Sequence, residues 1–281
     1  MKWKGRRGSS NVQDRRGTRS PRGIVGGGVG TIVLALIIFF LGGDPTALIN
    51  SSSFIDSGAP SQYVETKEES ELAQFASVVL AETETVWSDL FEEEGLEYEY
   101  PTLVLYTDSV NSACGYATSS VGPFYCPGDN SVYIDLSFYD ELKRQYKAPG
   151  DFAFAYVIAH EVGHHVQNQL GISEQVMALR NKLSEAEFNK YIVRLELQAD
   201  YFAGVWAHYV ERANLLEKGD FQEALNAASA VGDDRIQSEA WGYVVPDKFT
   251  HGTSEQRMRW FNKGFESGTI QGGDTFNTSD L

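Results

Sequence analysis

Three residues within one short segment have the types and spacing of a metal site. Residues 156–168 read Tyr-Val-Ile-Ala-His-Glu-Val-Gly-His-His-Val-Gln-Asn and include His160, Glu161 and His164. Histidines four residues apart lie one turn apart on one face of a helix, so both imidazoles can bind one ion. Glu161 lies about 100° around that helix, where its carboxylate can accept a proton from water beside the ion. The segment therefore predicts a zinc site with a general base.

A catalytic zinc site usually has three protein ligands and one open position, so a third ligand must come from another segment. Residues 191–207 are largely apolar but include Glu196 and Asp200, four residues apart on one helix face. We expect Glu196 to bind the metal and Asp200 to accept the outer N–H of a ligand histidine, which fixes its tautomer. A solvated acidic face is the alternative. Small residues in the segment would let a second helix approach closely: Ala199, Ala203, Gly204 and Ala207.

These motifs carry a resemblance to known peptidases. H-E-x-x-H followed by E-x-x-x-D resembles the gluzincin group of zinc peptidases. With Gly122-Pro-Phe-Tyr-Cys-Pro and Val132-Tyr-Ile-Asp-Leu-Ser-Phe, they resemble the bacterial putative neutral zinc metallopeptidase family over nearly the whole chain. One difference is Tyr201, where family members often carry Cys, and this position is not a predicted ligand. The resemblance implies a zinc metallopeptidase, a hydrolase with one Zn²⁺ per chain.

His251 is a further candidate for the catalytic site. Thr253 and Gln256 fit a capping box, which predicts a helix beginning near Ser254 and places His251 on the loop before it. The resemblance implies a His or Tyr that is not a ligand and that stabilises the oxyanion of the reaction, and His251 is the candidate. A loop histidine bonded to the backbone is an equal alternative.

Hydrophobic spacing indicates the elements that must position these residues. Apolar residues recur at helical spacing from Leu72 to Leu90, which predicts a long helix to about residue 94. Residues 102–106 read as a strand, and the alternation over 132–136 predicts a second, half-buried strand. Helical patterns dominate from about residue 138. We therefore expect an α+β fold, a helix-dominated, zincin-like metallopeptidase domain with a small sheet.

Both cysteines lie in a segment rich in Gly, Ser and Asn between the two strands. In an oxidising compartment, Cys114 and Cys126 are expected to form a disulfide that closes this segment. The Gly122-Pro-Phe-Tyr-Cys-Pro motif with the strand that follows could place an edge strand above the active helix, where a peptide substrate pairs with it. An internal core strand is the alternative.

The charge distribution divides the chain into two parts. Of the 281 residues, 23 are Lys or Arg and 39 are Asp or Glu. Residues 1–22 hold eight basic residues and one acidic residue, whereas residues 44–281 carry a net charge of −23. The acidic body excludes a nucleic-acid partner, which would need a basic face. Residues 23–43 carry no charge, and 21 helical residues span roughly 30 Å, the thickness of a bilayer core.

We therefore predict a single-pass membrane protein. Residues 1–22 form a disordered, basic cytoplasmic tail, and 23–43 form an uncleaved signal anchor, with a cleaved signal peptide as the alternative. Residues 44–68 form a flexible tether, 69–270 the metallopeptidase domain and 271–281 a disordered tail. This topology places the catalytic domain outside the cytoplasm, in the periplasm or the extracellular space.

The sequence favours a membrane-anchored zinc endopeptidase that cleaves peptide or protein substrates with metal-activated water and Glu161 as general base. One alternative is a non-catalytic, zinc-containing, membrane-tethered binding or chaperone-like protein. Structural zinc sites normally have four protein ligands, often Cys, which the predicted ligand set does not match. Metal-dependent hydrolysis of a non-peptide amide is a third possibility.

Overall fold

The computed structural model describes residues 1–18 and 63–281. The predicted signal anchor at 23–43 and most of the predicted tether lie outside the described residues. Within the two described ranges, no helix combines the length and the apolar character needed to cross a bilayer.

Helices dominate the described part of the chain, together with a small sheet and a hairpin. The helices are α1 (Lys67–Glu93), α2 (Phe138–Arg144), α3 (Asp151–Gln169), α4 (Ile172–Met177), α5 (Glu185–Arg212), α6 (Asp220–Ala230), α7 (Asp233–Trp241) and α8 (Ser254–Ser267). The strands are β1 (Val12–Asp14), β2 (Thr102–Tyr106), β3 (Ser109–Ser112), β4 (Gly115–Thr118), β5 (Phe124–Cys126) and β6 (Ser131–Asp135). The predicted α+β class with dominant helices is confirmed, as are the long first helix and the helix that begins at Ser254.

The sheet has the order β1-β2-β6-β5. β1, β2 and β6 run parallel, and β5 pairs antiparallel with β6. The prediction of a half-buried second strand was wrong, because every residue of β6 is buried. An internal strand of a mostly parallel sheet is covered on both faces, so its sequence need not alternate in burial. The edge position next to β6 belongs to β5, which contacts α3.

Helix α3 lies in the centre of the molecule. It contacts α1, α5, α6 and the strands β5 and β6, and residues 152–167 are all buried. A helix buried on all sides is normally apolar. The imidazoles and the carboxylate of the H-E-x-x-H motif are therefore polar groups inside the core, and each needs a partner.

Two glycines allow α5 and α8 to pack with their backbones almost in contact. A Cβ atom at Gly204 would lie 2.0 Å from the carbonyl oxygen of Phe261, and one at Gly264 would lie 1.9 Å from that of Tyr201. Any side chain at either position would force the helices apart. The expectation that the small residues of α5 admit a close helix neighbour is confirmed, and α8 is one such neighbour.

The disulfide predicted between Cys114 and Cys126 is present. Cys114 lies in the turn between β3 and β4, which pair antiparallel, and Cys126 ends β5. The bond therefore ties the hairpin to the edge of the main sheet, and it closes a loop that contains residues 119–124.

Residues 1–18 pack on the domain, so the prediction of a separate, disordered tail was wrong for this segment, called here the N-terminal arm. β1 adds to the sheet beside β2, with Val12 paired to Leu103. Arg6 forms an ion pair with Glu82 at 2.8 Å. Arg16 likewise pairs with Glu65, so basic side chains of the arm bind acidic ones of the domain, although its composition alone resembles that of a free tail.

The arm also bears on the predicted membrane topology. Arg16 pairs with Glu65 at 2.7 Å, so the chain enters and leaves the segment 19–62 at neighbouring points of one body. A single-pass helix would place these points on opposite sides of a bilayer core of roughly 30 Å. A cytoplasmic N-terminus with an extracytoplasmic domain would therefore require β1 to leave the sheet, and the predicted topology itself stays a prediction.

The prediction of a disordered tail at 271–281 was also wrong. Thr275 is buried, and its hydroxyl donates to the carbonyl oxygen of Arg194 at 2.6 Å. Arg194 in turn donates to the carbonyl oxygen of Thr278 at 3.1 Å, and Arg259 donates to that of Leu281 at 2.7 Å. Residues 271–281 have the small, polar composition of a disordered segment. They are ordered because arginines of α5 and α8 donate hydrogen bonds to their backbone carbonyl groups.

The paired arm predicts that residues 1–18 and the domain lie on one side of the membrane. Arg7→Cys and Lys218→Cys, made separately at exposed positions, should therefore give the same result with a membrane-impermeant maleimide on intact cells. The two native cysteines are joined in the disulfide and do not react. Labelling in detergent provides the control for intrinsic reactivity. Labelling of Lys218→Cys alone would show that β1 leaves the sheet in the membrane.

Candidate active site

Helices α3 and α5 bring the three predicted metal ligands together. His160 and His164 lie on α3 and Glu196 lies on α5, and all three are buried. The Nε2 atom of His160 is 3.2 Å from Oε2 of Glu196, and Nε2 of His164 is 3.4 Å from Oε1 of Glu196. The ligand atoms of the three residues lie within 4.8 Å of one another.

The spacing of these atoms fits a zinc ion. Ligands at about 2.0–2.1 Å from zinc in tetrahedral geometry lie about 3.3 Å apart, which matches the two separations between imidazole and carboxylate. Two histidines and one glutamate also form one of the ligand sets of catalytic zinc, which leaves a position open for water or substrate. His160, His164 and Glu196 would therefore hold the ion.

A second group of acidic residues in the described chain is less suited to zinc. Asp151, Asp220 and Glu223 lie close enough to approach one cation. The group offers neither His nor Cys, and the α-ammonium of Met1 pairs with Asp151 at 3.0 Å and with Asp220 at 2.9 Å. The histidine-containing group remains the candidate for the single zinc ion.

A glycine inside the motif permits the close approach of the ligand helices. A Cβ atom at Gly163 would lie 2.9 Å from the carbonyl oxygen of Ala199 on α5. Glu196 and Asp200 flank this contact on α5, as His160 and His164 flank Gly163 on α3. The small residues at the crossing therefore let short carboxylate side chains reach the imidazoles.

Asp200 lies where the sequence predicts, next to a ligand histidine. Its Oδ1 atom is 2.9 Å from Nδ1 of His160. The Nδ1–H group therefore donates to Asp200, which leaves the lone pair of Nε2 available for the metal.

Two residues that the sequence analysis missed complete this buried network. Arg257 of α8 donates from Nε to Oδ2 of Asp200 at 2.8 Å and from Nη2 to Oδ1 at 2.9 Å. The Tyr156 hydroxyl donates to Oδ1 at 2.5 Å. Burial raises the pKa of Asp200, but the charges of Arg257 and His160 outweigh it and lower the pKa to about 2. Asp200 is therefore a permanent anion that orients His160.

His164 has a separate partner. Its Nδ1 atom is 2.9 Å from Oε1 of Gln167, so the Nδ1–H group donates to the amide and Nε2 faces the metal position. Gln167 is held by its own donation to the carbonyl oxygen of Leu195 at 2.6 Å and to Oε1 of Gln198 at 3.0 Å. Gln167 lies three residues after His164 on the same helix face, and this spacing could have predicted the contact from the sequence.

Glu161 has the environment of a general base. Its carboxylate lines the cleft over the metal position and makes no hydrogen bond to the described residues. Burial is the largest influence and raises its pKa, while the neighbouring His160 and His164 lower it in part. A carboxylate with a raised pKa accepts a proton more readily near neutral pH.

His251 lines the same cleft and is oriented by a buried aspartate. Its Nδ1 atom is 3.1 Å from Oδ1 of Asp233, the first residue of α7. Oδ2 of Asp233 accepts the backbone N–H groups of Thr250 and His251 at 2.6 Å each. Burial lowers the pKa of His251, but the negative charge of Asp233 raises it by more, so the net shift is upward. The pairing of Asp233 with His251 could not be predicted from local spacing, because the two residues are 18 positions apart.

The other two histidines have structural roles. His165 is buried, with Nε2 at 2.7 Å from the carbonyl oxygen of Glu99 and Nδ1 at 3.0 Å from the Tyr125 hydroxyl. Burial lowers its pKa to about 4, so it remains neutral. His208 binds the carbonyl oxygen of Phe265 at 2.8 Å. Neither residue lines the cleft that holds the metal ligands.

A cavity of about 620 Å³ opens over the metal position. One wall is formed by residues 120–124, which the disulfide loop contains and which lead into β5. α2 and α7 form further walls, and α3 and α5 supply the metal ligands. A cavity of this size can receive a few residues of a peptide.

Known proteins are similar to this chain over most of its length. Residues 1–276 match the model of the family described as "Putative neutral zinc metallopeptidase". The chain is 48% identical over 295 residues to the uncharacterized protein YpfJ of Escherichia coli K12, with 99% of this chain and 100% of the relative covered. It is 40% identical over 209 residues to the uncharacterized protein Mb2605 of Mycobacterium bovis, which covers 70% of this chain and 68% of the relative. No solved structure gives a significant match.

Asp200→Asn should weaken zinc binding by roughly 10- to 100-fold, because the neutral amide no longer stabilises the Nδ1–H of His160. Competition with a chromophoric chelator measures the change. Asp89→Asn, at an exposed position of α1, is the matched control and should bind zinc like the parent. Equal affinities for the two variants would remove Asp200 from the metal site.

Proposed function

The chain belongs to the putative neutral zinc metallopeptidase family, and from this membership and the site geometry we propose that it is a membrane-associated zinc endopeptidase. One observation carries the proposal: His160, His164 and Glu196 converge beside Glu161 at the base of an open cleft. When bound there, zinc supplies a Lewis acid that polarises a carbonyl group and makes water more acidic.

Glu161 provides the proton transfer. Its carboxylate makes no competing hydrogen bond to the described part of the chain and faces the cleft, so it can accept a proton from the attacking water. The same group can then pass that proton to the nitrogen of the leaving amine. The raised pKa of Glu161 suits both directions of this transfer, because the carboxyl must hold the proton between the two steps.

His251 stabilises the negative oxygen that develops on the scissile carbonyl. Its Nδ1–H donates to Asp233, so Nε2 carries a proton only when the ring is an imidazolium. The raised pKa of His251 keeps this form populated to higher pH than in an unperturbed histidine. A charged donor aimed into the cleft is the arrangement that favours an oxyanion over a neutral carbonyl.

β5 is the candidate platform for the peptide backbone. It is the edge strand of its sheet among the described residues, and Phe124 lies in the wall of the cleft. An extended peptide can add to such an edge through main-chain hydrogen bonds, which do not depend on sequence. The Cys114–Cys126 disulfide supports this wall from behind.

Membrane association is proposed from the apolar run at 23–43. The disulfide is stable in an oxidising compartment, which supports a catalytic domain outside the cytoplasm, in the periplasm or the extracellular space. Because β1 pairs with β2 in the sheet, we propose that residues 1–18 lie on that same side, in contrast to the cytoplasmic tail expected from the positive-inside rule.

The non-catalytic alternative has less support. A structural zinc site is closed by four protein ligands, whereas the predicted group supplies three beside an open cleft. Hydrolysis of a non-peptide amide would use the same residues, and a substrate panel distinguishes it from peptide cleavage.

Glu161→Gln should abolish cleavage of unfolded casein while one zinc per chain is retained. We expect kcat to fall by roughly 10²- to 10⁴-fold, because the amide cannot accept the proton. Fragment analysis measures cleavage, and elemental analysis measures zinc. Glu92→Gln, at an exposed position of α1, is the control and should cleave like the parent. Parental activity in the Glu161 variant would contradict the mechanism.

His251→Gln should lower kcat by roughly 10²- to 10³-fold with little change in KM, because the donor acts on the oxyanion and not on the bound substrate. In the parent, activity should fall as pH rises through the raised pKa of His251, where the Nε2 proton is lost.

Asp233→Asn removes the charge that raises the pKa of His251, so the alkaline limb of the pH–kcat profile should move to lower pH. An unmoved limb would assign it to another group.

A further inference from the structure

The cleft extends beyond the metal ligands into a compartment between α2 and α7. Its walls are mainly apolar and aromatic, and they include Phe138 and Tyr146 on one side and Ile236 and Trp241 on the other. Trp241 is 40% exposed, so its ring lies where a substrate can reach it. Neither the zinc ligands nor the proton-transfer groups use this compartment.

One carboxylate in this compartment has no partner among the described residues. Glu141 of α2 is half-buried, and its carboxylate makes no hydrogen bond or ion pair within the described residues. Burial, followed by the charge of Asp135, raises the pKa of Glu141, which indicates that no cation compensates its charge. An uncompensated carboxylate against apolar walls is unfavourable without a cationic partner.

The described arginines near the compartment are engaged elsewhere. Arg235 of α7 binds Glu239 at 3.1 Å and the carbonyl oxygen of Tyr146 at 3.2 Å. Arg144, the last residue of α2, pairs with Asp140 at 3.4 Å. Arg257, the arginine that lines the cleft, is bound to Asp200. Among the described residues, these arginines therefore leave the Glu141 carboxylate without a cationic partner.

We propose that the compartment between α2 and α7 is a subsite for a lysine or arginine side chain of the substrate, with Glu141 as the residue that determines this specificity. Apolar walls contact the methylene stem, and the carboxylate pairs with the cationic head. The Trp241 ring can stack on a guanidinium. The net charge of −23 on residues 44–281 further attracts basic peptides.

This inference rests on the proposed peptidase activity, so the experiment reports on both. Quenched fluorescent peptides are made in sets that differ at one position, Lys, Arg, norleucine or Glu, placed on either side of the scissile bond. Norleucine keeps an apolar stem without the charge. We expect the parent to prefer Lys or Arg over norleucine by roughly 10- to 100-fold in kcat/KM at one of the two positions.

Two variants test the role of Glu141. Glu141→Gln should lower the ratio of kcat/KM for the Lys peptide to that for the norleucine peptide by roughly 10- to 100-fold. Glu141→Lys should reverse the preference, so that the Glu peptide becomes better than the Lys peptide. Glu92→Gln is the control for the loss of one negative charge far from the cleft, and its ratio should match that of the parent.

The outcomes separate the two proposals. Cleavage of none of the peptides would overturn the proposed peptidase activity. Cleavage of the norleucine peptide as efficiently as the Lys and Arg peptides would overturn the subsite and leave the activity standing. A Glu141→Gln variant that loses activity on every peptide equally would also overturn it, because a structural role changes all substrates alike.

Discussion

The buried Asp200 carboxylate is the interaction on which the site depends. Asp200 lies on α5 and accepts hydrogen bonds from His160 and Tyr156 of α3 and from Arg257 of α8. A buried charge is strongly unfavourable unless it is paired and hydrogen-bonded on every side. Arg257 satisfies this condition and keeps Asp200 ionised, and Asp200 in turn fixes the tautomer of a ligand histidine. The orientation of His160 on α3 therefore depends on the packing of α5 and α8.

Close helix packing makes this network possible. Gly163 lies against the backbone of α5, and Gly204 and Gly264 lie where α5 and α8 meet. With larger residues the helix axes would separate, and short carboxylates would no longer reach the imidazoles. The wall of the cleft is built differently, because residues 119–124 are held by the Cys114–Cys126 disulfide and not by helix packing. The three candidate metal ligands and Glu161 thus lie on rigid helices, while a cross-linked loop and an edge strand border the cleft.

The N-terminal arm is part of the folded unit. The family match begins at residue 1, and the E. coli relative is covered over its full length, so the arm is within the region that these proteins have in common with the chain. β1 extends the sheet whose other edge borders the cleft. This arrangement joins the N-terminal arm to the same sheet that borders the candidate site.

The features that depend on local spacing could be predicted from the sequence. His160, Glu161 and His164 follow from the helical period, Glu196 and Asp200 from the same period on a second apolar helix, and the start of α8 from a capping box. The tertiary structure alone decided the rest. Arg257 is 57 residues from Asp200 and 101 from Tyr156, and the arm pairs with a strand about 90 residues away. Composition reflects only the average environment of a residue type. The basic residues of 1–18 and the small polar residues of 271–281 therefore predicted disorder. Their order comes from individual ion pairs and hydrogen bonds to distant side chains, which no local pattern encodes.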